Sequence, residues 1–160
     1  QGDGDLAAIG LAEIMGAANR GENFTVIFFN NQTYGMTGGQ MAPTTLIGQV
    51  TQTTPFGRDS QLAGNPIRVC EMMATLSGTA LAQRVAVDTV PHIRETKKAI
   101  RKAFENQKEK RGLSIVEVLS TCPTNWGLSP IDAIKRLQDE MIPYYPLGVY
   151  KDITAEGGNK

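Results

Sequence analysis

The run Phe24-Thr25-Val26-Ile27-Phe28-Phe29, followed directly by Asn30-Asn31-Gln32-Thr33, decides the fold of this 160-residue chain. A nearly continuous apolar run predicts a strand that is buried on both faces, which is typical of a parallel sheet. The polar cluster begins where that strand ends. Because ligands of open α/β sheets bind at the carboxyl ends of the strands, we expect this cluster to belong to a binding site.

A second polar cluster, Gly2-Asp3-Gly4-Asp5, lies upstream of the strand and is separated from it by one predicted helix. We expect Asp5 to cap that helix, which runs from Leu6 to Asn19 and stops at Gly21. Glycines let backbone amides approach an anion closely, and the N-terminus of a helix favours negative charge. Taken alone, Gly-Asp-Gly fits an ordinary turn with a helix cap as well as it fits a phosphate site.

Helices and strands continue to alternate downstream, with helices predicted over 66–77, 91–111 and 130–141 and strands over 82–87 and 114–119. In the helix over 91–111, Ile93, Ile100 and Phe104 predict the buried face. The stretch from Asn30 to Asn65 has no period, and we expect a functional loop there. The alternation predicts an α/β layered fold around a mostly parallel sheet.

Composition and charge exclude several classes of function. The formal net charge is zero, so we expect no nucleic-acid partner, and no apolar run reaches membrane length. Cys70 and Cys122 make no disulfide framework, which favours a reducing compartment such as the cytoplasm. At this length we expect one domain over residues 1–160. A Gly-Asp-Gly phosphate loop normally follows a strand, and none precedes Gln1, so we expect that domain to be truncated at its N-terminus.

The two polar clusters together can hold a divalent cation and a diphosphate. Asp3 offers a carboxylate, Asn31 a side-chain amide oxygen and Thr33 a backbone carbonyl. Mg²⁺ takes six oxygen ligands and usually keeps phosphate oxygens and water among them. Two diphosphate oxygens and one water molecule would complete the set.

Four segments resemble the thiamine diphosphate motif and, more closely, the β subunit of 2-oxoacid:ferredoxin oxidoreductases. They are Gly2-Asp3-Gly4-Asp5, Asn30-Asn31-Gln32-Thr33-Tyr34-Gly35-Met36-Thr37-Gly38-Gly39-Gln40, Pro43-Thr44-Thr45 and Cys122-Pro123-Thr124-Asn125-Trp126-Gly127. The resemblance implies a three-layer thiamine diphosphate-binding fold with a mostly parallel sheet and helices on both faces.

The resemblance also implies the site residues. Mg²⁺ would be bound by the side chains of Asp3 and Asn31 and by the Thr33 carbonyl. The cofactor would contact Gly2, Asp3, Gly4, Asp5, Asn31, Thr33, Tyr34, Gly35, Met36 and Thr37. Met36 and Thr37 would lie near the reacting centre, and no catalytic residue is assigned. An apolar Met36 suits a substrate with an extended side chain.

The activity implied is oxidative decarboxylation of a 2-oxoacid to acyl-CoA and CO₂, with electrons passing through iron–sulfur clusters to ferredoxin. Cys122 would ligate a 4Fe-4S cluster in the intact protein. The family's three other cluster cysteines lie upstream of the motif and have no counterpart here, so we expect no complete cluster on this chain. We expect the glutamate that activates the cofactor to lie on an α subunit, and we expect further subunits as partners. The chain alone is therefore expected to be inactive.

The substrate and the class of enzyme leave alternatives open. The Asn31 and Cys122 segments resemble members that act on 2-oxoisovalerate or 2-oxoglutarate more than those that act on pyruvate, and we favour 2-oxoisovalerate. A non-redox thiamine diphosphate enzyme and an α/β module that binds a nucleotide phosphate are the competing hypotheses. For Cys122 the alternative is a small residue at a strand end without a ligand role. Cys70 is expected to be a buried core thiol, and His92 is assigned no chemistry.

Overall fold

The computed structural model describes residues 1–155, in which helices and strands alternate along the chain as the sequence predicts. The strands are β1 (Thr25–Asn30), β2 (Thr33–Tyr34), β3 (Gln40–Met41), β4 (Thr79–Ala86), β5 (Leu113–Leu119) and β6 (Gly148–Asp152). The α-helices are α1 (Leu11–Arg20), α2 (Ser60–Ala63), α3 (Val69–Ala74), α4 (Val90–Lys108), α5 (Pro123–Trp126), α6 (Pro130–Arg136) and α7 (Ile142–Tyr144). Two π-helical turns cover Asp5–Ile9 and Leu137–Met141.

The main sheet has the strand order β1-β5-β4-β6. The first three strands are parallel, so their carboxyl ends meet at one edge, and β6 is antiparallel to β4. β6 falls in the C-terminal tail, where no strand was predicted. Two short strands, β2 and β3, form a separate antiparallel pair just after β1. The sheet is therefore mostly parallel, as expected from the apolar runs over β1 and β5.

The sheet lies between two helical layers. On one face, α1 and α3 pack over alternate strand residues such as Phe28, Ala82 and Ile115. On the other face, α4 packs over Leu81, Val116 and the strand residues beside them. The segment after β5 buries Leu137, Met141 and Tyr145 at the carboxyl edge. This arrangement is the predicted three-layer α/β fold.

Two predictions about the first helix and the first strand are wrong in detail. Asp5 does not cap a helix, because it lies inside the π-helical turn and α1 begins only at Leu11, after Gly10. The helix does end at Gly21, which adopts the left-handed conformation. β1 is buried on the α1 side, but Phe29 is half exposed on the other, because β1 is the edge strand of the described sheet.

The predicted apolar face of the long helix is correct only at Ile100, which packs against the sheet. Ile93 and Phe104 are 39% and 49% exposed, while the side that packs on the sheet carries Ala99 and Ala103. Small side chains let the helix approach the sheet closely, and Thr96 on the same side donates to the Ala86 carbonyl at 2.8 Å. The pattern of large apolar residues therefore predicted Ile100 correctly and missed the alanines beside it.

A membrane-crossing segment is not found in residues 1–155, since none of their helices combines the length and the apolar character required.

A row of buried polar side chains crosses the sheet near its carboxyl edge. The fully buried Arg84 on β4 donates from Nε to Glu117 Oε2 at 2.9 Å, and Glu117 on β5 is equally buried. Asn30, the last residue of β1, donates to the other Glu117 oxygen at 2.8 Å. The Arg84 guanidinium also donates to Glu71 Oε2 on α3 at 2.5 Å. This row ties three strands and one helix together at the end where the loops begin.

We expect Arg84→Met to lower the free energy of unfolding by about 3–5 kcal/mol, because it leaves the buried Glu117 carboxylate without its cation. The double variant Arg84→Met/Glu117→Leu should recover much of that loss, since it removes both charges. Glu95→Gln, which breaks an exposed pair with Lys98, serves as the control and should cost less than about 1 kcal/mol. Urea unfolding measures all three, and an Arg84→Met variant as stable as the control would contradict this account.

Candidate functional site

A cavity of about 490 Å³ opens beside the carboxyl end of β1. Its lining contains every residue that was predicted to contact the cofactor, together with Ile9: Gly2, Asp3, Gly4, Asp5, Asn31, Thr33, Tyr34, Gly35, Met36 and Thr37. The structure thus brings the two polar clusters together into one wall. Their binding roles remain predictions, since this geometry establishes proximity alone.

A larger groove of about 830 Å³ runs along the outer edge of β1 and past α1. Its lining is mostly apolar and includes neither Asp3 nor Asn31. Because the smaller cavity holds the groups that can bind a cation and a diphosphate, it is the candidate site.

Asp3 is the central ionisable group of this site. Its side chain is buried, with 3% exposed, and it lines the cavity. One carboxylate oxygen accepts a hydrogen bond from the backbone N–H of Asn31 at 3.0 Å, and the other accepts one from the Thr44 hydroxyl. Burial raises the pKa of Asp3 to about 7, against the lowering effect of these two hydrogen bonds. No ion pair joins Asp3 to a Lys, Arg or His within residues 1–155.

A buried carboxyl group that faces a cavity without a cationic partner fits a bound cation. Transfer of a lone carboxylate into a low-dielectric site is costly unless a positive charge or a metal compensates it. A diphosphate placed in the same cavity would add negative charge beside Asp3, so a cation between the two groups is the arrangement that electrostatics favours.

The loop after β1 is held in shape by its own hydrogen bonds. The Asn31 side-chain oxygen accepts from the Thr33 amide at 3.2 Å, and Asn30 Oδ1 accepts from the Gln32 amide at 3.2 Å. Gln32 has a φ of 63°, a left-handed conformation that a non-glycine residue adopts only under constraint. The Gln32 carbonyl accepts from the Thr45 hydroxyl at 2.5 Å. The loop therefore presents Asn31 and Thr33 to the cavity in a fixed arrangement.

Two residues that support Asp3 carried no predicted role. The Thr44 hydroxyl, 41 residues downstream of Asp3, donates a hydrogen bond to its carboxylate. Arg58 fixes the segment on which Thr44 lies. The Arg58 guanidinium is buried and donates to six backbone carbonyls, those of Ala42, Pro43, Thr45, Ala63, Gly64 and Asn65. These bonds order much of the long irregular stretch, which explains how a segment without periodicity can hold a side chain in place.

Cys122 lies against the back of the cavity wall. It precedes α5 at the carboxyl end of β5, and it does not line the cavity itself. Asn125 donates to Cys122 Sγ and to the Gly35 carbonyl, both at 3.1 Å, and Trp126 donates to the Asn31 carbonyl at 3.2 Å. The predicted cluster cysteine and the predicted cofactor loop are therefore neighbours.

The other sulfur and metal-binding groups lie elsewhere. Cys70 is buried in α3, and burial raises the pKa of its thiol, which fits the expected core residue. No group of three or more His, Cys, Asp or Glu side chains comes together in the part of the chain described. A cation held by the buried Asp3 carboxylate would also need amide, carbonyl and ligand oxygens, a set that suits Mg²⁺.

Comparison with known proteins finds similar oxidoreductase subunits. The chain is 48% identical, over 98% of its length, to ketoisovalerate oxidoreductase subunit VorA of Methanothermobacter thermautotrophicus, and it spans 33% of that protein. It is 36% identical, over 97% of its length, to 2-oxoglutarate synthase subunit KorB of Methanocaldococcus jannaschii, and it spans 54% of that protein. The chain thus covers only a third to about half of these relatives.

A solved structure shares the fold. The chain superposes on 2-oxoglutarate:ferredoxin oxidoreductase from Magnetococcus marinus with 2-oxoglutarate, coenzyme A and succinyl-CoA bound, at a TM-score of 0.70 and 23% sequence identity. The match covers 94% of this chain and 54% of that one. The family model described as "Thiamine pyrophosphate enzyme, C-terminal TPP binding domain" matches residues 1–118, which include both polar clusters. The chain therefore belongs to the thiamine pyrophosphate enzyme family, within its C-terminal TPP-binding domain.

Proposed function

We propose that this chain is the thiamine diphosphate- and Mg²⁺-binding part of an oxidoreductase that converts a 2-oxoacid to acyl-CoA and CO₂ and passes electrons through iron–sulfur clusters to ferredoxin. The observation that carries the proposal is the buried Asp3 carboxyl group, which faces the cavity with two hydrogen bonds and no cationic partner among residues 1–155. Family membership and the similarity to named oxidoreductase subunits support the same conclusion.

Three groups would hold Mg²⁺: the Asp3 carboxylate, the Asn31 side-chain oxygen and the Thr33 carbonyl. The remaining ligands would be diphosphate oxygens and water. Gly4 packs against Tyr34 so closely that a Cβ there would lie 3.2 Å from the ring, so a larger residue would displace one of these two cavity-lining groups. Thiamine diphosphate, when bound, would supply a nucleophilic carbon for the 2-oxo group and a thiazolium ring that delocalises the electron pair left by decarboxylation.

Cys122 would provide one ligand of a 4Fe-4S cluster in the intact protein, with three further cysteines supplied from outside this chain. An α subunit would supply the glutamate that activates the cofactor, and further subunits, coenzyme A and ferredoxin would complete the reaction. We place this assembly in the cytoplasm, in keeping with the two unpaired cysteines.

For the substrate we favour 2-oxoisovalerate. Met36 lines the cavity and is fully exposed there, so its thioether is free to contact an apolar side chain of the substrate. The stronger similarity to a ketoisovalerate oxidoreductase subunit supports the same choice. A 2-oxoglutarate or pyruvate oxidoreductase is the alternative. A module that binds a nucleotide phosphate without a cation is disfavoured, because Asp3 would repel the phosphate.

Mg²⁺ and thiamine diphosphate together should raise the thermal midpoint of the chain, because a ligand that binds only the folded state stabilises it. At a free ligand concentration of 100 Kd the free energy of unfolding should rise by about 2.7 kcal/mol. Asp3→Ala should abolish the shift, whereas Glu13→Gln, on the exposed side of α1, should retain it. An equal shift in Asp3→Ala and wild type would sink the assignment of Asp3 to the cation.

Without divalent cations, stability should fall as the pH rises from 4 to 8. The folded pKa of Asp3, about 7, lies above the value of an unfolded aspartate, so the folded state binds more protons in this interval. The stabilising contribution is complete below the unfolded pKa and is lost as the pH passes the folded pKa, at a cost of up to about 4 kcal/mol. Urea unfolding in EDTA at a series of pH values measures the free energy of unfolding. In Asp3→Asn this free energy should change less between pH 4 and 8. If the free energy of unfolding depends on pH as steeply in Asp3→Asn as in the wild type, groups other than Asp3 cause the dependence.

In the intact enzyme with its partner subunits, Cys122→Ser should lower the iron content and abolish ferredoxin reduction. Cys70→Ala is the matched control, and iron content should stay at the wild-type level because Cys70 lies in the core. Iron analysis and the electron paramagnetic resonance spectrum provide readouts besides turnover. Wild-type iron content in Cys122→Ser would remove Cys122 from the cluster.

Assay of that enzyme with 2-oxoisovalerate, 2-oxoglutarate and pyruvate should give the highest kcat/KM for 2-oxoisovalerate. Met36→Ala should lower that value by roughly tenfold, the effect of one apolar contact, and should change pyruvate turnover less. A preference for 2-oxoglutarate would reverse the substrate assignment without affecting the cofactor proposal.

A further inference from the structure

The peptide group that joins Asn31 to Gln32 is held at both of its polar ends. Its carbonyl oxygen accepts a hydrogen bond from Trp126 Nε1 at 3.2 Å, and its N–H donates to Asn30 Oδ1 at 3.2 Å. Asn30 is the last residue of β1, whereas Trp126 lies on α5, which follows the neighbouring strand β5. This peptide group therefore cannot rotate without breaking two hydrogen bonds from side chains.

The same peptide group carries backbone strain. Gln32 has a φ of 63°, and its side chain is fully buried. For a residue with a side chain, the left-handed conformation costs roughly as much as one or two hydrogen bonds contribute on balance. Rotating the peptide group by half a turn would return Gln32 to a negative φ, which backbone sterics favour. The hydrogen bonds from Trp126 and Asn30 oppose that relaxation.

The Trp126 ring is itself held in place. The Arg136 guanidinium carbon lies 4.4 Å from the ring centroid, within the range of a cation–π contact, and Arg136 also donates to Gln32 Oε1 at 3.4 Å. The Trp126 backbone N–H donates to the Cys122 carbonyl at 2.9 Å. These contacts direct the indole N–H toward the Asn31 carbonyl. None of them involves Cys122 Sγ, so they are compatible with the cluster proposed for that sulfur.

The strained peptide group lies between the two neutral groups that are assigned to the cation. The Asn31 side-chain oxygen accepts from the Thr33 backbone N–H at 3.2 Å, and the Asn31 backbone N–H donates to Asp3 Oδ2 at 3.0 Å. All three residues line the cavity. Mg²⁺ demands a nearly ideal octahedral arrangement of its ligands. A rotation between Asn31 and Thr33 would therefore disturb the ligand set.

We propose that Trp126 is a positioning residue for the cation site, and that its indole N–H holds the Asn31–Gln32 peptide group in the strained conformation that presents Asn31 and Thr33 to the cavity together. The holding role is independent of the proposed function, whereas the identity of the ligand that benefits from it rests on that function.

Amide hydrogen exchange tests the holding role without any ligand. Because Trp126 is the single tryptophan of the chain, an analogue supplied during expression replaces this side chain alone. Benzothienylalanine keeps the bicyclic shape but has sulfur in place of the N–H. With this analogue the amide hydrogens of Gln32 and Thr33, followed by NMR, should exchange about fivefold faster, the factor expected for one net hydrogen bond. Exchange within β5 should not change, which separates a local release from general unfolding.

Three further proteins separate the N–H donor from packing. The analogue 5-fluorotryptophan keeps the N–H and should leave exchange at the wild-type rate. Trp126→Phe keeps an aromatic ring without the donor, and it should accelerate exchange at the same two amides. Thr124→Ala, at an exposed position on the same helix, should exchange as the wild type does. The proposal is wrong if benzothienylalanine leaves the exchange of Gln32 and Thr33 unchanged, or if 5-fluorotryptophan accelerates it equally.

A second measurement connects the holding role to the site. A ligand that binds only the held conformation suppresses its opening, so Mg²⁺ with thiamine diphosphate at a free concentration of 100 Kd should slow exchange of the same two amides about a hundredfold in the wild type. Calorimetry on the same samples distinguishes the two failures. Absence of binding counts against the proposed function and leaves the ligand-free exchange to decide the role of Trp126. Binding without slower exchange counts against a role for this peptide group in the site.

Discussion

A buried row of side chains, Arg84, Glu117 and Asn30, crosses the three parallel strands just before their loops begin. Charges in such a place are tolerated only when each finds its partners, and here Glu117 accepts from both of its neighbours. The row fixes the end of β1 through a side chain rather than through the backbone ladder alone. The side-chain oxygen of Asn30 also accepts a hydrogen bond from the Gln32 backbone N–H. Asn30 therefore connects the sheet directly to the loop that follows β1.

The electrostatics of the site follow from the same row. Glu117 lies close enough to Asp3 to raise its pKa, although burial of Asp3 is the larger cause. The single cation of the row, Arg84, is already engaged by Glu117 and Glu71. The ionised form of Asp3 therefore has no compensating positive charge among the described residues. The metal ion proposed for this cavity, bound together with a diphosphate, would supply that positive charge.

Much of the layout could be predicted from local pattern. The apolar runs placed β1 and β5, and the polar clusters at Asp3 and Asn31 were expected at one edge of the sheet, where the structure places them. The cofactor itself came from the resemblance, since the residues alone indicated only a cation and a diphosphate. Features that depend on distant partners left no local signal: the bond from Thr44 to Asp3, the carbonyls gathered by Arg58, and the pairing of β6 with β4. The face of α4 was predicted only in part, because two alanines, Ala99 and Ala103, pack on the sheet together with Ile100.

The pairing of β1 with β5 has a consequence for the order of folding. Thr25 lies opposite Ser114, so neighbouring strands are about ninety residues apart in the chain. The entropy of closing so long a loop must be overcome before the ladder contributes any stability, whereas α4 and its flanking strands β4 and β5 need only short closures. Asn31 reaches Trp126 only once β1 has docked beside β5. We therefore expect the part of the cavity wall around Asn31 to assemble after the sheet on which it rests.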